Sequence, residues 1–442
     1  MKRSFNLIRL AAVPLSLTLI SILAGSVINR VMVVELGLPV TLAGLFLAVP
    51  LLVAPIRVWL GYRSDAYPIR GLRREPYIII GAGLAGLGAA VSVALVLRTE
   101  ALLSVGAIAT LLFLIVYGIG KNLTSNTFQA LLADKFEEGA PRSRAATLYE
   151  VVNMIGLIAG AGIVGRNLQP YSPERLTVVV AVIGVMALVF AFIARPGQEP
   201  RDVADRGSQA ARSQDFQTIV KTVVLGNPQV RRFFIVVVML TLLGTQIQDV
   251  LLEPYAAVRF GMTVGESSQL TAFWGVGTLI AMLASGLYLI KRFGYLRIYR
   301  IGLGVVAVMF LLIVAIGFTG NANLLRLAVV LLGLGTGLSA ASLLVSMIEF
   351  TTEARAGLLI GVWGVAHQLG RAMASLMGGL VVDGLMSVSG GNEMLAYGTA
   401  FALEIVLIVV AIGLIGKVNV QEAKASVAEF GVAGTAVPAV TD

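Results

Sequence analysis

Leu176–Ala194 reads LTVVVAVIGVMALVFAFIA and carries no charged side chain. As a helix it is long enough to cross a hydrocarbon core about 30 Å thick. Lipid offers no partners to backbone N–H and C=O groups, and a helix satisfies them within one segment. Comparable apolar runs recur at 10–34, 40–60, 77–97, 101–121, 145–166, 233–254, 269–290, 298–318, 324–348, 357–381 and 394–416. With 176–194 they predict an all-α membrane protein of twelve transmembrane helices. Composition agrees: the chain is 57% hydrophobic and 13% charged, against about half and about a quarter in soluble domains.

Basic residues sort by side of the membrane. Arg30, Arg98, Arg166, Arg175, Arg259 and Arg326 fall on one side, Arg371 lies within a helix, and all others fall on the side of Lys2. The positive-inside rule then places both termini in the cytoplasm. The net charge of +9 is read as topology, and nucleic acid is not an expected partner. Lys2, Arg3 and Arg9 before an apolar run imitate a signal peptide, but the run continues to Val34, so an uncleaved first helix is expected. The absence of cysteine excludes disulfides, thiolate chemistry and Cys-ligated metals.

The long polar stretch 195–232 reads as a cytoplasmic linker with an interfacial helix. It separates an N-terminal six-helix half (1–194) from a C-terminal one (233–416), with a cytoplasmic tail at 417–442. The halves echo each other: the first helix ends on Asn29-Arg30-Val31-Met32-Val33-Val34-Glu35, the seventh on Gln248-Asp249-Val250-Leu251-Leu252-Glu253. Two six-helix halves in parallel repeat are the plan of the major facilitator superfamily.

Gly61-Tyr62-Arg63-Ser64-Asp65 with Arg70, Arg73 and Arg74 resembles that superfamily's cytoplasmic loop motif between helices 2 and 3. There an Asp pairs with basic residues to latch the cytoplasmic side. The alternative is a basic loop without a gating role. Ile290 stands where a second Asp would be. Gly81-x-Gly83-x-x-Gly86 and Gly160-x-Gly162-x-x-Gly165 match a dinucleotide pattern as text. Both lie inside apolar runs with no preceding strand, so they read as helix-packing seams. No Walker loop is present, and no residue set suggests ATP hydrolysis or catalysis.

Ionisable groups inside the membrane are the best pointers to function. Asp249 and Glu253 lie on the seventh helix, Arg371 on the eleventh and Arg30 near the outer end of the first. Asp249 is expected to pair with Arg30 or Arg371, and the Arg30 pair would tie the halves shut. Such a pair is either a static structural bond or a moving gate. His367, the only histidine, reads either as a core hydrogen-bonder, the commoner role of a lone His, or as an axial ligand to the magnesium of a chlorophyll-type pigment. Asn122, Thr124, Asn126, Thr127 and Gln129 read as the polar exit of the fourth helix, or as cavity lining.

Several strings resemble the PucC/LhaA family, also called the bacteriochlorophyll delivery family. They are Asn29-Arg30-Val31-Met32 through Gly37, Pro50 through Arg57, Gly61 through Asp65, Gln248-Asp249-Val250-Leu251-Leu252-Glu253-Pro254-Tyr255, Gln269 through Trp274, and Gly361-Val362-Trp363-Gly364. The resemblance implies a light-harvesting complex assembly factor, or chaperone, in the inner photosynthetic membrane of a phototrophic bacterium. Antenna polypeptides, the reaction-centre core and bacteriochlorophyll are the implied partners, with bacteriochlorophyll a transient ligand and no tightly bound cofactor. Asn29, Arg30, Glu35, Arg57, Asp65, Gln248, Asp249, Glu253, Pro254 and Tyr255 carry over as motif members without assigned roles. The alternative is a secondary transporter of a pigment precursor or other amphipathic solute. A membrane enzyme is the least supported reading.

Overall fold

The computed structural model describes residues 9–22, 25, 27–97, 104–135, 140–194, 240–350 and 356–415. The expected linker 195–232 and the tail 417–442 lie outside the described residues, as does the start of the predicted span at 233–254. Among the described residues the regular elements are helices: α1 (Ala12–Ile22), α2 (Val40–Leu52), α3 (Glu75–Val96), α4 (Val105–Lys135), α5 (Ala140–Asn167), α6 (Pro173–Ala194), α7a (Leu240–Gln246), α7b (Gln248–Phe260), α8 (Val264–Ala284), α9 (Tyr295–Gly317), α10 (Ala322–Phe350), α11 (Ala356–Val388) and α12 (Glu393–Ile415). Eight helices are long and apolar enough to cross a membrane, and α1, α2 and Val151–Asn167 of α5 are apolar but shorter. The protein is a multi-pass membrane protein. Val178, Val182, Val185, Val189 and Phe192 of α6 are exposed at helical spacing, the pattern of a face turned to lipid.

Three expected elements differ. The first span changes its hydrogen-bond pattern: the short α-helical turn Ile28–Arg30 is followed by a π-helical turn, Val31–Glu35, with helical dihedrals at the junction. The predicted helix 40–60 ends at Leu52, and a second helix, Ile56–Ala66, follows. Pro50 and Pro55 cause this, because neither has an N–H to continue the ladder, while a proline suits the start of a new helix. Gly61, Arg63 and Asp65 therefore sit on a helix and not in the expected loop. The loop proper is Tyr67–Arg74, turned by left-handed Arg70 (φ 54°) and Gly71 (φ 75°). The predicted helix 101–121 runs on to Lys135, so the polar run Asn122–Gln129 lies within the helix.

The halves meet along two helix pairs, α2 with α11 and α5 with α8. Small residues set the approach. A Cβ on Gly379 would fall 2.6 Å from Thr41 Cα, and one on Gly165 would fall 2.7 Å from Gly265 O. The two dinucleotide look-alikes are packing seams of this kind: Gly81 faces Gly120 and Thr124, Gly86 faces Gly184, and Gly160 faces Leu19 and Ile22. Gly165→Val is therefore expected to destabilise the protein by about 1–3 kcal/mol, the usual cost of overpacking. Gly162→Ala should leave it unchanged, since nothing lies within 4 Å of that Cβ. Thermal unfolding in detergent checks both, and equal behaviour of the two variants would count against the seam.

Candidate functional site

Two of the strings quoted from the sequence meet at the seam between the halves. Asn29 donates from Nδ2 to the carbonyl of Val250 at 2.9 Å, with Asp249 O at 3.4 Å. Pro254 explains why that carbonyl is available. It stands four residues after Val250 inside α7b and has no N–H to offer, so the intrahelical bond to Val250 O cannot form. Asn29 is 1% exposed and supplies the missing donor from the other half.

Arg30, one residue on, points elsewhere round the turn. Its Nη1 bonds Glu35, and its Nη2 donates to Met262 O at 3.1 Å. Of the two partners expected for Asp249, Arg371 is the one it meets, with Oδ2 2.8 Å from Arg371 Nη2, and the Arg30 pair is not formed, so the ion pair joins α7b to α11 within the second half. The reason is register: Asn29, not Arg30, occupies the position facing Asp249 and Val250. Arg30 still bridges the halves, but through a backbone carbonyl. Glu253 is buried, and its Oε1 accepts from Thr271 Oγ1 at 3.2 Å, which ties α7b to α8. Tyr255 is fully buried, donates to Ile313 O at 3.2 Å and packs on Phe260, Tyr397 and Phe401.

Two acids missed at the sequence level complete this seam. Asp383 on α11 accepts from the backbone N–H groups of Val40 (3.0 Å) and Thr41 (2.6 Å). It thereby caps the start of α2 from the opposite half, where orphan N–H groups and the helix dipole favour a carboxylate. Glu404 on α12 is fully buried, and its Oε1 accepts from Gln248 N at 3.0 Å, at the break between α7a and α7b. Each was legible as a lone acid in an apolar run, the same signal that singled out Asp249. Nearby, Tyr171 in the loop before α6 has its phenol held above the ordinary range, by burial first and by the Glu35 carboxylate second.

Toward the other face, polar groups of the two halves also meet. Gln368 on α11 donates to Asn122 Oδ1 on α4 at 3.3 Å. Arg57 bonds Gln129 (2.8 Å) and Asn126 (3.3 Å), both on α4. His367 is half-buried with its ring 5.2 Å from that of Trp363. Among the described residues no hydrogen bond is made to its imidazole, so the core hydrogen-bonder reading finds no partner there. Around the loop motif, Arg63 lies over the rings of Trp59 (5.6 Å) and Tyr67 (5.3 Å), and Arg74 donates to Ser64 Oγ at 3.0 Å. Arg73 is buried. The side chain of Asp65 lies outside the described residues, and with it the expected latch.

The seam is thus drawn together by Asn29, Arg30 and Asp383, with an Asp249–Arg371 pair beside it. The helical fold that carries this seam is found in solved transporters. The chain is similar to the D-xylose–proton symporter, with a TM-score of 0.67 at 16% identity over 91% of this chain and 96% of that one. The fold is that of the major facilitator superfamily. Two relatives from Rhodobacter capsulatus match nearly end to end. One, named Bacteriochlorophyll synthase 44.5 kDa chain, is 30% identical over 92% of this chain and 93% of its own. Another, named Protein PucC, is 29% identical over 92% of this chain and 90% of its own. The sequence profile described as PUCC protein matches residues 27–423, which include every residue of the seam, and the chain belongs to that family.

Proposed function

We propose that the protein is an assembly factor for the light-harvesting complexes of a phototrophic bacterium. Family membership over residues 27–423 carries this reading. A relative named for PucC and one named as a bacteriochlorophyll synthase chain point to the biogenesis of photosynthetic complexes. The seam supports a scaffold over an enzyme: Asn29, Arg30, Asp249, Glu253 and Asp383 each hold one helix against another. The chain would sit in the bacterial inner membrane with both termini cytoplasmic and two six-helix halves joined by 195–232. Antenna polypeptides and the reaction-centre core would dock on its apolar outer faces, and α6 offers one such face.

Bacteriochlorophyll is the proposed transient ligand. Its magnesium accepts an axial nitrogen lone pair, and the imidazole of His367, which makes no hydrogen bond among the described residues, fits that role. Purification of the tagged protein from phototrophic membranes in mild detergent tests the reading. The expected result is near-infrared bacteriochlorophyll absorption together with antenna polypeptides. His367→Ala should remove the pigment without lowering protein yield. A colourless protein without antenna polypeptides would sink the assembly role, and pigment retained by His367→Ala would sink the ligand.

A second reading, secondary transport of an amphipathic solute, draws on the Asp249–Arg371 pair. Both side chains remain about a third exposed, at 33% and 37%, as befits groups that line a path between the halves. On that reading Asp249→Asn abolishes flux. On the assembly reading the same variant retains antenna binding once folded.

A further inference from the structure

Glu404 has no part in the reading above, yet among the described residues it is the most completely buried acid of the second half, at 0% exposure. It lies where α7 is broken. Gly244 lets α7a approach α12 so closely that an added Cβ would fall 3.2 Å from Glu404 O. The carboxyl then reaches the break, and its Oε1 accepts from Gln248 N at 3.0 Å. Its Oε2 has no hydrogen-bond donor, and neither does the buried Gln248 Oε1. The two hydroxyls of α7a are already committed: Thr245 donates to Thr241 O at 2.8 Å, and Thr241 bonds Tyr299.

An ionised carboxylate in this position would lack a cation. Among the described residues no basic side chain pairs with Glu404, and Arg371 is held by Asp249. Asp249 is itself close enough to act on Glu404 as a like charge. The titratable and charged groups on the helices around α12 are Asp249, Glu253, Tyr255 and Arg259 on α7b; Tyr295, Arg297, Tyr299 and Arg300 on α9; and His367, Arg371 and Asp383 on α11. α7a carries none. Two neighbouring acids inside a membrane, of which Asp249 alone is paired with a cation among the described residues, cannot both stay ionised without a large cost. One proton removes the conflict. Bound at Oε2, it cancels the second negative charge and turns a donor-less acceptor into a donor, with Gln248 Oε1 a matching acceptor on the residue Glu404 already touches.

We propose that Glu404 is a proton-binding site inside the membrane domain, carrying its proton on Oε2 while Asp249 takes Arg371. Loss of that proton places a second negative charge beside Asp249, whose carboxylate holds Arg371, which links protonation to the ion pair. Infrared spectroscopy of the purified full-length protein at neutral pH tests the proposal, with exchange into deuterated water. The wild type should show a protonated-carboxyl C=O stretch that shifts on deuteration. The band should be lost in Glu404→Gln and shifted in Glu404→Asp. Absence of the band in the wild type, or an unchanged band in the Glu404 variants, would overturn the assignment. Should Glu404→Gln not fold, the position of the band in Glu404→Asp decides.

Discussion

Asp249→Asn is expected to lower the unfolding free energy by about 1–3 kcal/mol, and Arg371→Gln by a similar amount, while the double variant loses less than the sum. The Asp249–Arg371 contact at 2.8 Å joins α7b to α11, two helices whose packing sets the second half's side of the seam. Removing one partner of a sealed pair costs about 3–5 kcal/mol, because the other charge is left without compensation. The smaller figure applies here because a third of each side chain is exposed. In the double variant no charge is stranded, and the remaining loss is that of one bond and its packing. Thermal or denaturant unfolding in detergent measures all three. Additive losses would show that the two residues act independently. The same cycle separates a structural pair from a gate: antenna binding that follows stability supports the former, while antenna binding lost without destabilisation supports the latter.

The helical runs were legible because each is long, apolar and punctuated by charge, and the packing glycines were legible because no strand preceded them. The breaks were less so. Pro50 and Pro55 sit within one apolar stretch, and hydropathy alone carries 40–60 through them as a single helix. The π turn at Val31–Glu35 leaves no compositional mark. At the seam, sequence reading found the right charged residues but not every partner. Pairing depends on which residue of a turn faces which helix, and one position exchanges Arg30 for Asn29. Arg30, Asp249 and Arg371 stand out in the sequence by charge, whereas Asn29 does not. Asp383 and Glu404 stand alone in apolar runs as Asp249 does. Asp383 and Glu404 bind backbone N–H groups, and such partners have no signature in sequence.

The bond between Asn29 and Val250 leads to an expectation about a residue it does not touch. Asn29→Ala should destabilise the protein by about 1–3 kcal/mol, the cost of leaving a buried carbonyl without a donor. That cost depends on Pro254. Pro254→Ala restores an N–H four residues after Val250, and the helix can then satisfy its own carbonyl. In that background Asn29→Ala should cost markedly less, since the bond it removes has an internal replacement. The two substitutions are thus predicted to be coupled, with the double variant more stable than the sum of the single losses implies. Equal losses from Asn29→Ala in both backgrounds would show that Asn29 acts through packing alone. The coupling has a structural meaning: a proline inside α7b makes that helix incomplete, and the first half completes it. An autonomous helix 7 would have no need of Asn29, and the double variant should accordingly form a stable second half whose contact with Asn29's turn is weakened.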